Sequence, residues 1–280
     1  MLGESNASRI RFVASHESGD SMGHIRLGTL PMTLAWRRVV ELLGSEAGAA
    51  SVAAAAAEAA HEGLDRAKTD PGLVEAFWLL TQVPHAAKEH DFEAALKRRG
   101  LEVPSHPSLV DLTTAISERI DERVRAAPSR NDLSEMAQLA AVEALHDVVG
   151  KRLPRLFESR SDLQREVARL ATVSEFGRLA RVFFARLTER YLNYYLSREL
   201  SLHVGSGERF GGIDDHTAFN DAMRRHCIES ARIVEDFAGQ WLSKVKWEGR
   251  LTRRATQGFA HVAFRKLNAE LRRRESARGD

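Results

Sequence analysis

The most suggestive local arrangement of reactive side chains is the string Ala144-Leu145-His146-Asp147-Val148-Val149-Gly150-Lys151. An imidazole and a carboxylate side by side are both of the types that can ligate a divalent cation. The same residues also have a purely structural reading. Gly150 then caps a helix C-terminus, and Lys151 and Arg152 complement its dipole. A second pair, His90-Asp91, falls between helical patterns and reads as a turn with Asp91 as N-cap. Asp214-Asp215-His216, followed by Asp221 and His226, also contains ligand types. Ten helical residues between the two histidines mean ~15 Å of rise and ~80° of rotation, so they cannot share one ion. His226 falls on an apolar face and reads as a core histidine with a hydrogen-bond partner. The loop Gly205-Ser206-Gly207-Glu208-Arg209-Phe210-Gly211-Gly212 precedes a helix N-terminus, where backbone N–H groups can hold an anion. No strand pattern precedes it and no Gly-Lys-Ser/Thr follows, so it reads as a connector. Cys227 lies near the core face of its helix without a base partner and reads as a small buried apolar residue. No Ser-His-Asp set follows from spacing, because triads are recognised only in space.

The string around His146 resembles the HD signature of the metal-dependent phosphohydrolase family. That resemblance implies an all-helical fold in which His146 and Asp147 ligate a metal with another His upstream and an Asp downstream. It covers eight of 280 residues. In the family a Gly-Lys pair follows the Asp after one residue, whereas here two intervene. The upstream ligand would have to be His106, which follows Pro104 in a turn and not on a helix.

A different chemistry is implied by the C-terminal charge. From Lys244 onward there are eleven Lys and Arg against four acids, a net +7, which leaves the remainder at −5. On a helix Arg254, His261, Arg265 and Arg272 fall within ~40° of one another, because 18 residues make five turns. Arg273 and Arg274 add density at the end. Such a stripe is either a solvated face near a helix C-terminus or a contact surface for phosphates or an acidic protein. No aromatic residues alternate with the cations, so base stacking is not implied.

The elements that must position these residues are helical. Phe176, Leu179, Ala180, Phe183, Leu187, Tyr191 and Tyr194 recur at i, i+3, i+4, i+7 and predict a central helix over Thr172–Leu202, with Thr172 and Glu175 as a capping box. A second long helix is predicted from Asp214 or Asp215 to about Trp247, since Phe219, Met223, His226, Ser230, Val234, Phe237, Trp241 and Val245 share a face. The two together make an antiparallel spine. The alanine-rich segment Ser51–Lys68 predicts a smooth helix that admits close packing by a neighbour inside the fold. Leu73–Val83 predicts a core helix capped by Asp70 and interrupted by Pro84, and Asp132 predicts an N-cap for Leu133–Val149. The last helix is predicted over Thr252–Arg274, burying Ala255, Phe259, Val262, Ala263 and Leu267.

Residues 1–30 differ. Arg9-Ile10-Arg11-Phe12-Val13 and His24-Ile25-Arg26-Leu27 alternate polar with apolar residues, so the segment reads as a poorly ordered terminus or as an arm that lies against a partner. The chain is therefore expected to be all-α, a multi-helix bundle of nine to eleven helices with an extended N-terminal arm. Residues 31–150 and 151–280 are expected to form two helical lobes that meet near Gly150–Pro154. Composition is that of a soluble globular protein, 43% apolar and 29% charged. A lone cysteine, no secretory signal and no apolar run of membrane-spanning length suggest a cytoplasmic location without membrane partners. The leading functional reading is a non-catalytic interaction or regulatory subunit, a scaffold without a cofactor. It would bind a protein or nucleic-acid partner through the arm and through Arg254, His261, Arg265, Arg272 and Arg273. The alternative is the HD-like phosphohydrolase centred on His146 and Asp147.

Overall fold

The computed structural model describes residues 28, 30–45, 47–60, 69–128, 132–153 and 160–276. The expected N-terminal arm lies outside them, apart from Gly28 and Leu30. Among the described residues the chain forms eleven α-helices: α1 (Leu34–Gly44), α2 (Ala49–Ala59), α3 (Pro71–Ala86), α4 (Phe92–Lys97), α5 (Leu109–Arg125), α6 (Asp132–Val148), α7 (Arg160–Arg169), α8 (Val173–Leu202), α9 (Ile213–Ser230), α10 (Arg232–Trp247) and α11 (Arg253–Ser276). A single 3-10 turn, Gly150–Arg152, follows α6. The one extended pairing among the described residues is an isolated bridge between Val204 and Phe210. The protein is an all-α bundle.

Helix α8 has 30 residues and so spans about 45 Å. Its apolar face is the expected one, with Phe176, Leu179, Ala180, Phe183, Leu187 and Tyr191 buried. Leu192, Leu196 and Leu200 are buried on the far side, because α1, α2, α6, α9 and α10 all pack on it. The pairing with α10 is antiparallel and very close. A Cβ on Gly177 would stand 2.7 Å from the Glu235 carbonyl oxygen, and one on Gly239 would stand 1.8 Å from that of Val173. Only hydrogen fits at either position.

The interior is continuous on both sides of the Gly150–Arg152 turn. Its centre is Phe77 of α3, whose ring lies 5.6 Å from Phe183, 5.2 Å from Phe184 and 5.1 Å from Phe259, measured between centroids. The alanine-rich α2 buries Val52 and Ala53 to Ala57 against α1, α8, α9 and α11, so its smooth face is used within the fold.

Several local expectations are corrected. The helix expected to run to Trp247 is two helices, broken at Ala231. Arg181 of α8 supplies the reason: its Nε donates to the Ile228 carbonyl at 3.1 Å, and its Nη1 pairs with Glu235 at 2.9 Å. The guanidinium thus holds both sides of the elbow. Pro84 does not end α3, which continues to Ala86 because a proline in the last turn removes only one hydrogen bond. Thr172 and Glu175 make no capping box. The threonine hydroxyl donates to the Arg169 carbonyl at 2.9 Å, and Glu175 pairs with Arg152 at 2.6 Å. Asp132 is the first residue of α6 and accepts the Tyr194 hydroxyl. By contrast, Asp70 and Asp91 cap α3 and α4 as expected, accepting from Leu73 N at 2.7 Å and Ala94 N at 3.0 Å.

Candidate partner-binding surface

The His146-Asp147 pair sits at the end of α6, and its carboxylate is engaged in an ion network. Asp147 accepts from Arg186 Nη2 at 2.7 Å and pairs with Lys151 at 3.0 Å. Burial opposes ionisation of Asp147, yet the hydrogen bonds from Arg186 and Lys151 outweigh it and hold the carboxyl below its ordinary range. Around it stand Glu143 and Glu189, with Arg190 paired to Glu143. His146 is exposed, and His106 lies in the turn before α5, its backbone N–H donating to Glu93 at 3.3 Å. Among the described residues no three His, Cys, Asp or Glu side chains converge as a metal site.

The other sequence candidates fall into structural roles. The glycine-rich loop folds back on itself, with Gly205 N donating to Phe210 O at 2.8 Å and Phe210 N to His203 O at 2.9 Å. Arg209 projects from it to the open end of α1. There its Nη1 donates to the carbonyls of Leu42, Leu43 and Ser45 at 2.8, 3.0 and 2.8 Å, and its Nη2 donates to Ala47. A guanidinium at a helix C-terminus meets both the unpaired carbonyls and the negative dipole end. The loop is thus a helix cap supplied from a distance. Cys227 is fully buried and its thiol is pushed well up by burial and by Glu189, so it is held as an inert thiol. His226 is buried on the core side of α9.

The C-terminal stripe does reach the surface. Arg254, Arg265, Arg272 and Arg273 are exposed and His261 is half-buried. They are not equally available. Arg273 makes two hydrogen bonds of 2.8 Å to Glu270, and Arg272 and His261 have partners of their own. Arg254 and Arg265 remain without a carboxylate partner among the described residues.

Beside Arg254 runs a groove that sequence periodicity does not reveal. It measures about 660 Å³ and lies between α10 and α11. Phe237, Trp241 and Val245 form one wall, and Ala255, Gly258, Phe259 and Val262 form the other, with Arg250, Thr252 and Arg254 at one end. Phe237 and Trp241 carry core spacing on α10, but no described helix covers their outer edges and both remain partly exposed among the described residues. Gly258 lies open to the groove, with no atom within 4 Å of where a Cβ would stand. The sequence signal that could have found it is a glycine inside a helix, which costs about 1 kcal/mol against alanine and so invites a packing or functional reason.

The groove is fixed at the Arg254 end by an ion pair whose carboxylate is buried. Glu75 of α3 is fully buried and accepts two hydrogen bonds from Arg253, at 2.6 and 2.7 Å, while the Arg253 guanidinium stands 5.0 Å above the Trp78 ring. At the other end Lys266 lies 5.5 Å from the centroid of Phe237. Among the described residues no acidic side chain lines the groove. No described helix is long and apolar enough to cross a membrane. Comparison of the chain with protein-family models, with curated proteins and with solved structures finds no match.

Proposed function

We propose that the protein is a non-catalytic interaction subunit that binds a protein partner on the face formed by α10 and α11. The observation that carries this reading is the aromatic groove beside Arg254, a concave apolar surface of the kind that anchors partner side chains. Apolar walls with aromatic anchors suit a protein better than a nucleic acid, whose duplex offers mainly phosphates. Two of the four stripe arginines are also engaged within the chain, which leaves a thin set of cations for a phosphate backbone. The phosphohydrolase reading has less in its favour, because Asp147 already satisfies two cations and His146 joins no cluster of ligand types among the described residues.

The test is affinity capture with the full chain and with Gly258→Trp, which fills the groove from an open position. At least one protein retained by the wild type is expected to be lost from the variant while its thermal transition is unchanged. Identical captured sets would overturn the reading. Salt-titrated duplex binding is expected to be weak and equal for the wild type and for Arg254, Arg265 and Arg272 changed together to Ala. A steep salt dependence lost in that variant would instead favour nucleic acid.

A further inference from the structure

Building on the interaction reading above, we infer that the α10–α11 groove receives an amphipathic α-helix whose flank beside its apolar stripe is acidic. The shape points to a helix. Both walls are helices with satisfied backbones, so the groove has no free edge at which an extended strand could add hydrogen bonds. Phe237, Trp241 and Val245 repeat every four residues along about 12 Å, which is the length of two helical turns. Opposite them Ala255 and Gly258 keep the α11 wall low over one turn, and above Gly258 there is open space. A guest helix can therefore bring its own backbone close there, with apolar side chains at i, i+3, i+4 and i+7 entering between the aromatic rings.

Charge specifies the flank. On α11 the directions of Arg254, His261 and Arg265 adjoin those of Ala255, Gly258 and Val262 on one side, so the basic stripe forms a shoulder of the groove. Arg254 and Arg265 have no carboxylate partner among the described residues, and they stand about 17 Å apart along the helix. Lys266 overhangs Phe237 at the far end, and Arg250 stands at the near one. Arg250 is paired with Glu248 and contributes less. A guest with Glu or Asp on the matching shoulder over about three turns would meet cations along its length. A basic flank would be repelled at the same places. A second copy presenting this same face is disfavoured as guest, because the face itself is basic.

The probes are three synthetic 18-residue helices with one leucine stripe, flanked by Glu, by Gln or by Lys. Each is titrated into the full chain with tryptophan emission as the readout. The Glu helix is expected to bind about tenfold more tightly than the Gln helix, and the Lys helix more weakly still, with the preference shrinking in high salt. Gly258→Trp is expected to abolish binding of all three, and Arg254→Glu with Arg265→Glu to reverse their order. Equal binding of all three, lost in Gly258→Trp, would overturn the acidic flank and leave the interaction reading standing. If none binds, while Gly258→Trp still loses a captured protein, the helical guest is overturned and the interaction reading stands. Binding that Gly258→Trp leaves unchanged would overturn both. Concentration-dependent dimers of the wild type that Gly258→Trp dissociates would make the guest a second copy and overturn the acidic partner.

Discussion

At the scale of single residues, His85 shows how burial and neighbours fix a charge state. Its Nδ1 accepts a hydrogen bond from Lys246 at 3.2 Å. Burial, followed by the charges of Lys246, Lys88 and Arg99, pulls its pKa down to about 4. The folded protein therefore keeps this imidazole neutral where an unfolded chain, with a pKa of about 6.5, would protonate it. The sign follows directly. The stability linked to His85 is complete above about pH 6.5 and is lost as pH falls towards 4, because only the unfolded state gains the proton. Urea titrations at pH 7 and pH 5 are expected to show the wild type losing more stability than His85→Gln. An equal loss in both would contradict this.

At the scale of elements, two glycines of adjacent helices should respond in opposite ways to the same change. Gly239→Ala on α10 drives a methyl group into the Val173 backbone, so α8 and α10 must separate. A loss of about 3 kcal/mol is expected, at the upper end for overpacking. Gly258→Ala on α11 meets nothing and removes a weak helix former, so a gain of about 0.5–1 kcal/mol is expected. Thermal denaturation of the two variants, with opposite shifts in Tm, is the check. These helices also show what a reader of sequence can obtain. The buried face of α8 was legible because its period is a local property, and the caps at Asp70 and Asp91 were legible because cap and helix are neighbours in the chain. The elbow at Ala231 was not, since the apolar period runs through it unbroken and the group that holds it, Arg181, comes from another helix. Glu175 likewise looked like a capping residue until Arg152 took its carboxylate. The groove was hidden for a related reason. Phe237 and Trp241 have the spacing of core residues, and their exposure depends on which helices fail to cover them.

At the scale of the whole molecule, α11 is joined to α3 by Glu75 and Arg253, residues 178 positions apart. Burial of a carboxylate is tolerable only while its partner is present. Arg253→Ala is expected to lower stability by about 3 kcal/mol, because it leaves the buried Glu75 charge without its two hydrogen bonds and with only Arg119, 3.7 Å away, as a counter-charge. Glu75→Met combined with Arg253→Met is expected to recover most of that loss, because an apolar pair needs no compensation. Guanidinium denaturation followed by circular dichroism would decide, and a double variant weaker than Arg253→Ala would refute the account. The ring cluster around Phe77 has a consequence of another kind. Phe176, its earliest ring partner among the described residues, comes 99 residues later, and Phe259 comes 182 residues later. At ordinary rates of translation those gaps last about 5–20 and about 9–36 seconds. Until then the nascent α3 lacks the aromatic neighbours that complete its cover, so newly made chains should depend on chaperones more than the finished fold suggests.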